Sequence, residues 1–127
     1  MMPPKSVLLL EDDSDLRMMM CELFDSSGAR CLGVGSLREL KELGANGRLS
    51  FDLAILDVNL GSGQPSGLDA YRWLRDQSFA GRILFMTGHG RAFAGVADAH
   101  AVGVEVLQKP VSVDDLLRLL CETPGTT

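Results

Sequence analysis

Leu53-Ala54-Ile55-Leu56-Asp57 sets four consecutive apolar residues directly before a carboxylate. An unbroken run of this kind fits a strand covered on both faces, because a strand with one wet face alternates polar and apolar residues. Such strands belong to parallel sheets wrapped by crossover helices. The signature recurs on either side. Val7-Leu8-Leu9-Leu10 precedes Glu11-Asp12-Asp13, and Ile83-Leu84-Phe85-Met86 precedes Thr87. Two further runs are mixed: 29–34 contains Arg30 and Gly33, and 104–107 contains Glu105. Those two suit the edges of the sheet, where cover is incomplete.

Helical patterns separate the runs. Leu16, Met19, Met20, Leu23 and Phe24 repeat at i, i+3, i+4, i+7 and i+8, an apolar stripe opened by Asp13 or Ser14 and ended at Gly28. Ser36 with Glu39 reads as a capping box, and Ser66 with Asp69 starts a third helix carrying Leu68, Tyr71 and Leu74. The alanine-rich stretch 92–101, with Gly95 inside, predicts a helix of low intrinsic stability. Ser112 caps the last, whose Val113, Leu116, Leu117, Leu120 and Cys121 are expected on the inner side, with Asp114, Asp115 and Arg118 outside. Five βα units in succession predict an α/β fold: a doubly wound, flavodoxin-like parallel sheet of five strands in the order 2-1-3-4-5. The whole chain, 1–127, reads as a single domain, with 1–5 and 123–127 as disordered tails.

The totals exclude several classes. A net charge of −5 argues against direct nucleic-acid binding, which needs a basic surface. No apolar stretch is long enough for a membrane span, so a cytoplasmic location is expected. Cys21, Cys31 and Cys121 lack a CxxC spacing and lie in apolar patterns, which predicts buried thiols rather than ligands or disulfides.

Chemistry collects at the carboxyl ends of the strands: Glu11-Asp12-Asp13 after the first, Asp57 after the third, Thr87 after the fourth and Lys109-Pro110 after the fifth. In a parallel sheet these ends share one rim, so acids, a hydroxyl and an ammonium should converge there. Clustered carboxylates repel one another, and a hard divalent cation with oxygen ligands, Mg²⁺ above all, is their natural partner. A carboxylate beside such a cation can attack a phosphoryl group while a lysine offsets charge on the equatorial oxygens. Asp13 reads as a helix cap rather than a ligand. His89 and His100 have no partners that would make a triad and read as surface residues. Tyr71 and Trp73 read as packing rather than a partner contact. The glycines of 61–67 match no nucleotide-binding spacing.

Together, V-L-L-L-E-D-D, L-A-I-L-D-V-N-L, L-F-M-T-G and L-Q-K-P resemble the receiver domains of two-component response regulators, of the kind found in chemotaxis regulators. The resemblance covers essentially the whole chain. It implies that Glu11, Asp12, Asp57 and the backbone carbonyl of Asn59 hold Mg²⁺. It implies further that Asp57 is the phosphoacceptor, Thr87 the switch hydroxyl, and Lys109 the pairing ammonium before a cis proline. The implied partners are a histidine kinase or histidine phosphotransfer protein and a downstream protein target, with homodimerisation left open. The readout is expected on the face made by the 92–101 helix, the fifth strand and the last helix. The chain departs from the family pattern at Val106, where an aromatic is usual. It departs also in the loop 59–67, which lacks the common proline and is about two residues longer, and in Asn59 and His89, at positions that tune acyl-phosphate hydrolysis. Two other readings stay open: a pseudo-receiver that signals without phosphorylation, and a small phosphatase using Asp57 as nucleophile, against which Asn59 stands where an acid is usual.

Overall fold

The computed structural model describes residues 5–58, 67–88 and 104–123. Five strands, β1 (Ser6–Leu10), β2 (Arg30–Val34), β3 (Leu53–Asp57), β4 (Arg82–Thr87) and β5 (Val106–Gln108), pair in parallel in the order β2-β1-β3-β4-β5. Four described helices follow them: α1 (Ser14–Ser26), α2 (Leu37–Ala45), α3 (Gly67–Asp76) and α4 (Val113–Glu122). This is the expected flavodoxin-like order, with the mixed runs at the edges. The helix expected over 92–101, its Gly95, the loop 59–66, Ser66, His89 and His100 lie outside the described residues, as do 1–4 and 124–127.

Alternation along the central strands divides the core into two layers. Leu8, Leu10, Ala54, Leu56, Ile83 and Phe85 pack with Leu37 and Leu40 of α2 and with Leu68, Ala70 and Leu74 of α3. Their neighbours Val7, Leu9, Leu53, Ile55, Leu84 and Met86 pack on the other face with Met20 and Phe24 of α1 and with Leu116, Leu119 and Leu120 of α4. Beyond the first residues Ser6 and Arg82, which are half-buried, the residues of these strands meet a helix layer on either face, and polar residues are confined to the strand ends. That is why the runs are unbroken.

Local signals place the helix ends. Asp13 is the N-cap of α1, its side chain accepting from the N–H groups of Asp15 and Leu16, and Gly28 takes a positive φ of 89° just past the helix end. Ser112 and Asp115 complete a reciprocal capping box on α4. On α2 only half of the box forms: Ser36 accepts from Glu39 N–H, but the Glu39 carboxylate reaches past it to Gly35 N–H.

Three expectations need correction. Met19 of the α1 stripe is exposed, beside exposed Met18, and only Met20 and Phe24 are fully covered. α4 is rotated from the predicted face: Leu119 is fully buried, whereas Val113, Leu117 and Cys121 are exposed. Both helices carry an apolar arc wider than the sheet can cover, so rotation decides which edge of the arc is wet. The thiols are less buried than expected, since Cys21 and Cys31 are half-buried at the open β2 edge. Tyr71 and Trp73 pack as read, Tyr71 at 5.7 Å from the Phe85 ring and Trp73 against Gly44 of α2.

Candidate functional site

Each site residue sits where its strand runs out of cover. Glu11 follows β1 directly and its N–H donates to Val34 O of β2 at 3.0 Å, so the sheet extends one residue into the acidic turn. Glu11 is wholly buried and Asp57, the last residue of β3, is 2% exposed, while Asp12 projects into solvent. Oxygens of these three carboxylates lie within 4.8 Å of one another. β4 ends in buried Thr87, one residue beyond Met86, the register partner of Asp57. The Thr87 carbonyl accepts Lys109 N–H at 2.7 Å, which ties the β5 exit to the same rim. The Lys109-Pro110 bond is cis. Lys109 Nζ pairs with Asp57 Oδ2 at 3.2 Å and with Glu11 Oε1.

Three carboxylates against one ammonium leave the rim negative. Partial burial, then the adjoining Glu11, raise the Asp12 carboxyl above the usual 3.8. Burial pulls Lys109 down, but the hydrogen bond and charge of Glu11 together with Asp57 outweigh it, so the ammonium ends above its ordinary 10.5. Glu11 Oε1 is fully buried and faces the Lys109 ammonium, its one ion-pair partner among the described residues. An all-oxygen, acid-rich donor set with spare lone pairs fits a small hard cation such as Mg²⁺. Asn59, the remaining expected ligand, lies outside the described residues.

The structure therefore brings Glu11, Asp12, Asp57, Thr87 and Lys109 to one rim of one sheet. A sequence profile of the response regulator receiver domain matches residues 7–120. The chain belongs to this receiver family. Over 97% of its length the receiver is 27% identical to the acid tolerance regulatory protein ActR of Sinorhizobium medicae, and it spans 61% of that regulator's own length. It is 33% identical to two-component system protein A of Emericella nidulans, covering 98% of this chain and 18% of the fungal protein. Among solved structures, the chemotaxis protein CheY4 of Vibrio cholerae superposes with a TM-score of 0.78 at 25% identity, covering 95% of this chain and 99% of that one. Receiver domains are signalling domains that interact with histidine kinases or phosphotransfer proteins, and Mg²⁺ binding at an acidic pocket is typical of the family. No helix among the described residues is long and apolar enough to cross a membrane.

Two further residues support this receiver's rim and escaped the sequence reading. Arg17 of α1 lies across Gly33 and Gly35 and donates from Nη1 to the Glu11 carbonyl at 2.7 Å. Gly67, the first residue of α3, approaches so closely that a Cβ there would fall well inside contact distance of the Asp57 carbonyl oxygen. Gly67 had a weak signal, a glycine at a helix start. Arg17 had none, because its partner belongs to another segment.

Proposed function

We propose that Asp57 accepts a phosphoryl group from a phosphohistidine on a histidine kinase or histidine phosphotransfer protein. An Asp57 carboxylate oxygen attacks phosphorus, the P–N bond breaks, and the imidazole leaves. The observation that carries this reading is the position of Lys109, whose ammonium reaches the Asp57 carboxylate from the exit of β5, two strands away across β4. It stands ready to offset charge on the equatorial oxygens in transfer. Thr87 offers a hydroxyl at the end of the adjoining strand. Mg²⁺ held by Glu11, Asp12, Asp57 and the Asn59 carbonyl would supply further positive charge beside the transferred group. Once Asp57 is modified, Lys109 exchanges carboxylate contacts for phosphoryl contacts, the Thr87 hydroxyl turns to the phosphoryl group, and that change is read by a downstream protein on the face that includes β5 and α4. The setting is the cytoplasm. Val106, at the position of the usual aromatic, packs half-buried against the Phe85 layer, so the readout does not run through an aromatic rotamer at this position.

Incubation with acetyl phosphate and Mg²⁺ followed by intact-mass measurement tests the proposal. One phosphoryl adduct is expected, lost with chelator and absent from Asp57→Asn. A protein that stays folded and takes up no adduct would favour a phosphorylation-independent receiver. Sustained turnover of a generic phosphomonoester, abolished in Asp57→Asn, would favour the phosphatase.

A further inference from the structure

Away from the acidic rim, two thiols that sequence spacing keeps apart meet across the seam between α1 and β2. Cys21 Sγ and Cys31 Sγ are 2.9 Å apart. Cys21 stands on the third turn of α1, facing the sheet edge, and Cys31 is the second residue of β2, which is the outermost strand on that side. The approach is held from two directions. Asp25, one turn after Cys21 on the same helix, accepts the Cys31 backbone N–H at 3.2 Å and ties the strand to the helix at this level. Gly33, two residues along β2, leaves room for the helix to come close: a Cβ there would meet Arg17 Cγ at 2.6 Å and Cys21 Sγ at 3.2 Å. Both sulfurs are half-buried, reachable by a small reagent, whereas Cys121 lies apart and exposed on α4.

We propose that Cys21 and Cys31 form an oxidisable dithiol, a disulfide-forming site whose substrate is a small hydroperoxide. The sulfur atoms need to close by about 0.9 Å to reach bonding distance. Either thiol can donate across the 2.9 Å contact; with Cys31, the more deeply buried of the two, keeping its proton and donating, the bond lowers the Cys21 thiol and, with burial, raises Cys31. Cys21 is accordingly the nucleophile and Cys31 the resolving thiol. The Cys21 thiolate attacks the terminal peroxide oxygen, an S–O bond forms as the O–O bond breaks, and the other oxygen leaves, after taking up a proton, as water from hydrogen peroxide or as the alcohol from an alkyl hydroperoxide. The Cys31 sulfur then displaces hydroxide from the Cys21 sulfenic acid, the S–S bond forms, and the Cys31 proton leaves with that hydroxide as water. Two thiols are oxidised and one peroxide is reduced. The product ties α1 to β2 on the seam where Arg17 holds Glu11.

The test uses the full chain carrying Cys121→Ser, which removes the exposed thiol and intermolecular pairing through it. Treatment with hydrogen peroxide should remove two hydrogens from the intact mass and abolish both titratable thiols, with a Cys21–Cys31 crosslinked peptide in the digest and full reversal by a dithiol reductant. Cys31→Ser in the same background should stop at a Cys21 sulfenic acid trapped by dimedone, and circular dichroism reports whether that variant is folded. Sulfinic acid accumulating on Cys21 while Cys31 stays a free thiol would overturn the proposal, and so would two thiols left unreacted in folded protein. Since neither readout involves Asp57, failure here is independent of failure to take up phosphate.

Discussion

From Val7 to Leu10, Leu53 to Asp57 and Ile83 to Thr87 every residue of the three central strands is buried, whereas the edge strand β2 buries only Val34 and β5 only Leu107. The Asp57 carboxylate and the Thr87 hydroxyl end central strands, whose positions are set by packing on both faces. Of the features particular to this receiver, Cys31 and Gly33 lie on the edge strand β2 and Val106 on the edge strand β5, whereas the departures at 59–67 and at His89 follow the central strands β3 and β4 in sequence. Central strands are fixed by cover on both faces, and edge strands, with one side open, are freer to vary.

Truncation separates the two classes most sharply. Ile55→Ala, in a fully buried site between layers, should cost about 4 kcal/mol in urea unfolding, while Leu32→Ala on β2 should cost roughly 1 kcal/mol. Equal losses would erase the distinction. Next comes Gly67→Ala, whose methyl group pushes on the Asp57 carbonyl. A loss of about 2 kcal/mol is expected, with slower uptake from acetyl phosphate. Gly88→Ala is the control, since its methyl would sit at an ordinary 3.5 Å from Lys109 Cδ. Ser112→Ala removes the capping box of α4 and should cost about 1 kcal/mol with phosphoryl uptake unchanged.

The smallest effect concerns charge at the rim. Asp12 holds its proton more tightly folded than unfolded, so its contribution to stability is present below its ordinary 3.8 and lost as pH rises through the higher folded value. At neutral pH it is a liability in chelator. Asp12→Asn should therefore raise metal-free stability by about 0.5 kcal/mol, a figure kept low by solvent screening, and weaken Mg²⁺ binding. Lys109 is also raised, so its contribution is complete below 10.5 and lost as pH climbs through its folded value. Urea midpoints measured across that alkaline window should fall in wild type and lack this component in Lys109→Met.

Much of the site was legible because each of its residues follows its own apolar run: Glu11 and Asp12 after 7–10, Asp57 after 53–56, Thr87 after 83–86. Lys109 was legible through the proline that follows it. Met19, Val113, Leu117 and Cys121 were misplaced, and Leu119 went unnamed, because an apolar arc on a helix says that one side is buried, not through which rotation. The cysteines were misread for a related reason. Apolar neighbours in sequence imply burial only where the sheet continues beyond the strand, and beyond β2 it stops.

Strand order and the gathering of acids, hydroxyl and ammonium at one rim follow from the linear sequence, since a strand sandwiched between helix layers must be apolar up to the residue where it emerges. Helix rotation and the close approach of α1 to β2 do not. The Cys21–Cys31 contact, the reach of Arg17 to the Glu11 carbonyl and the seating of Gly67 against Asp57 join segments whose relative position is set by side-chain volumes throughout both layers, and no local pattern contains that information.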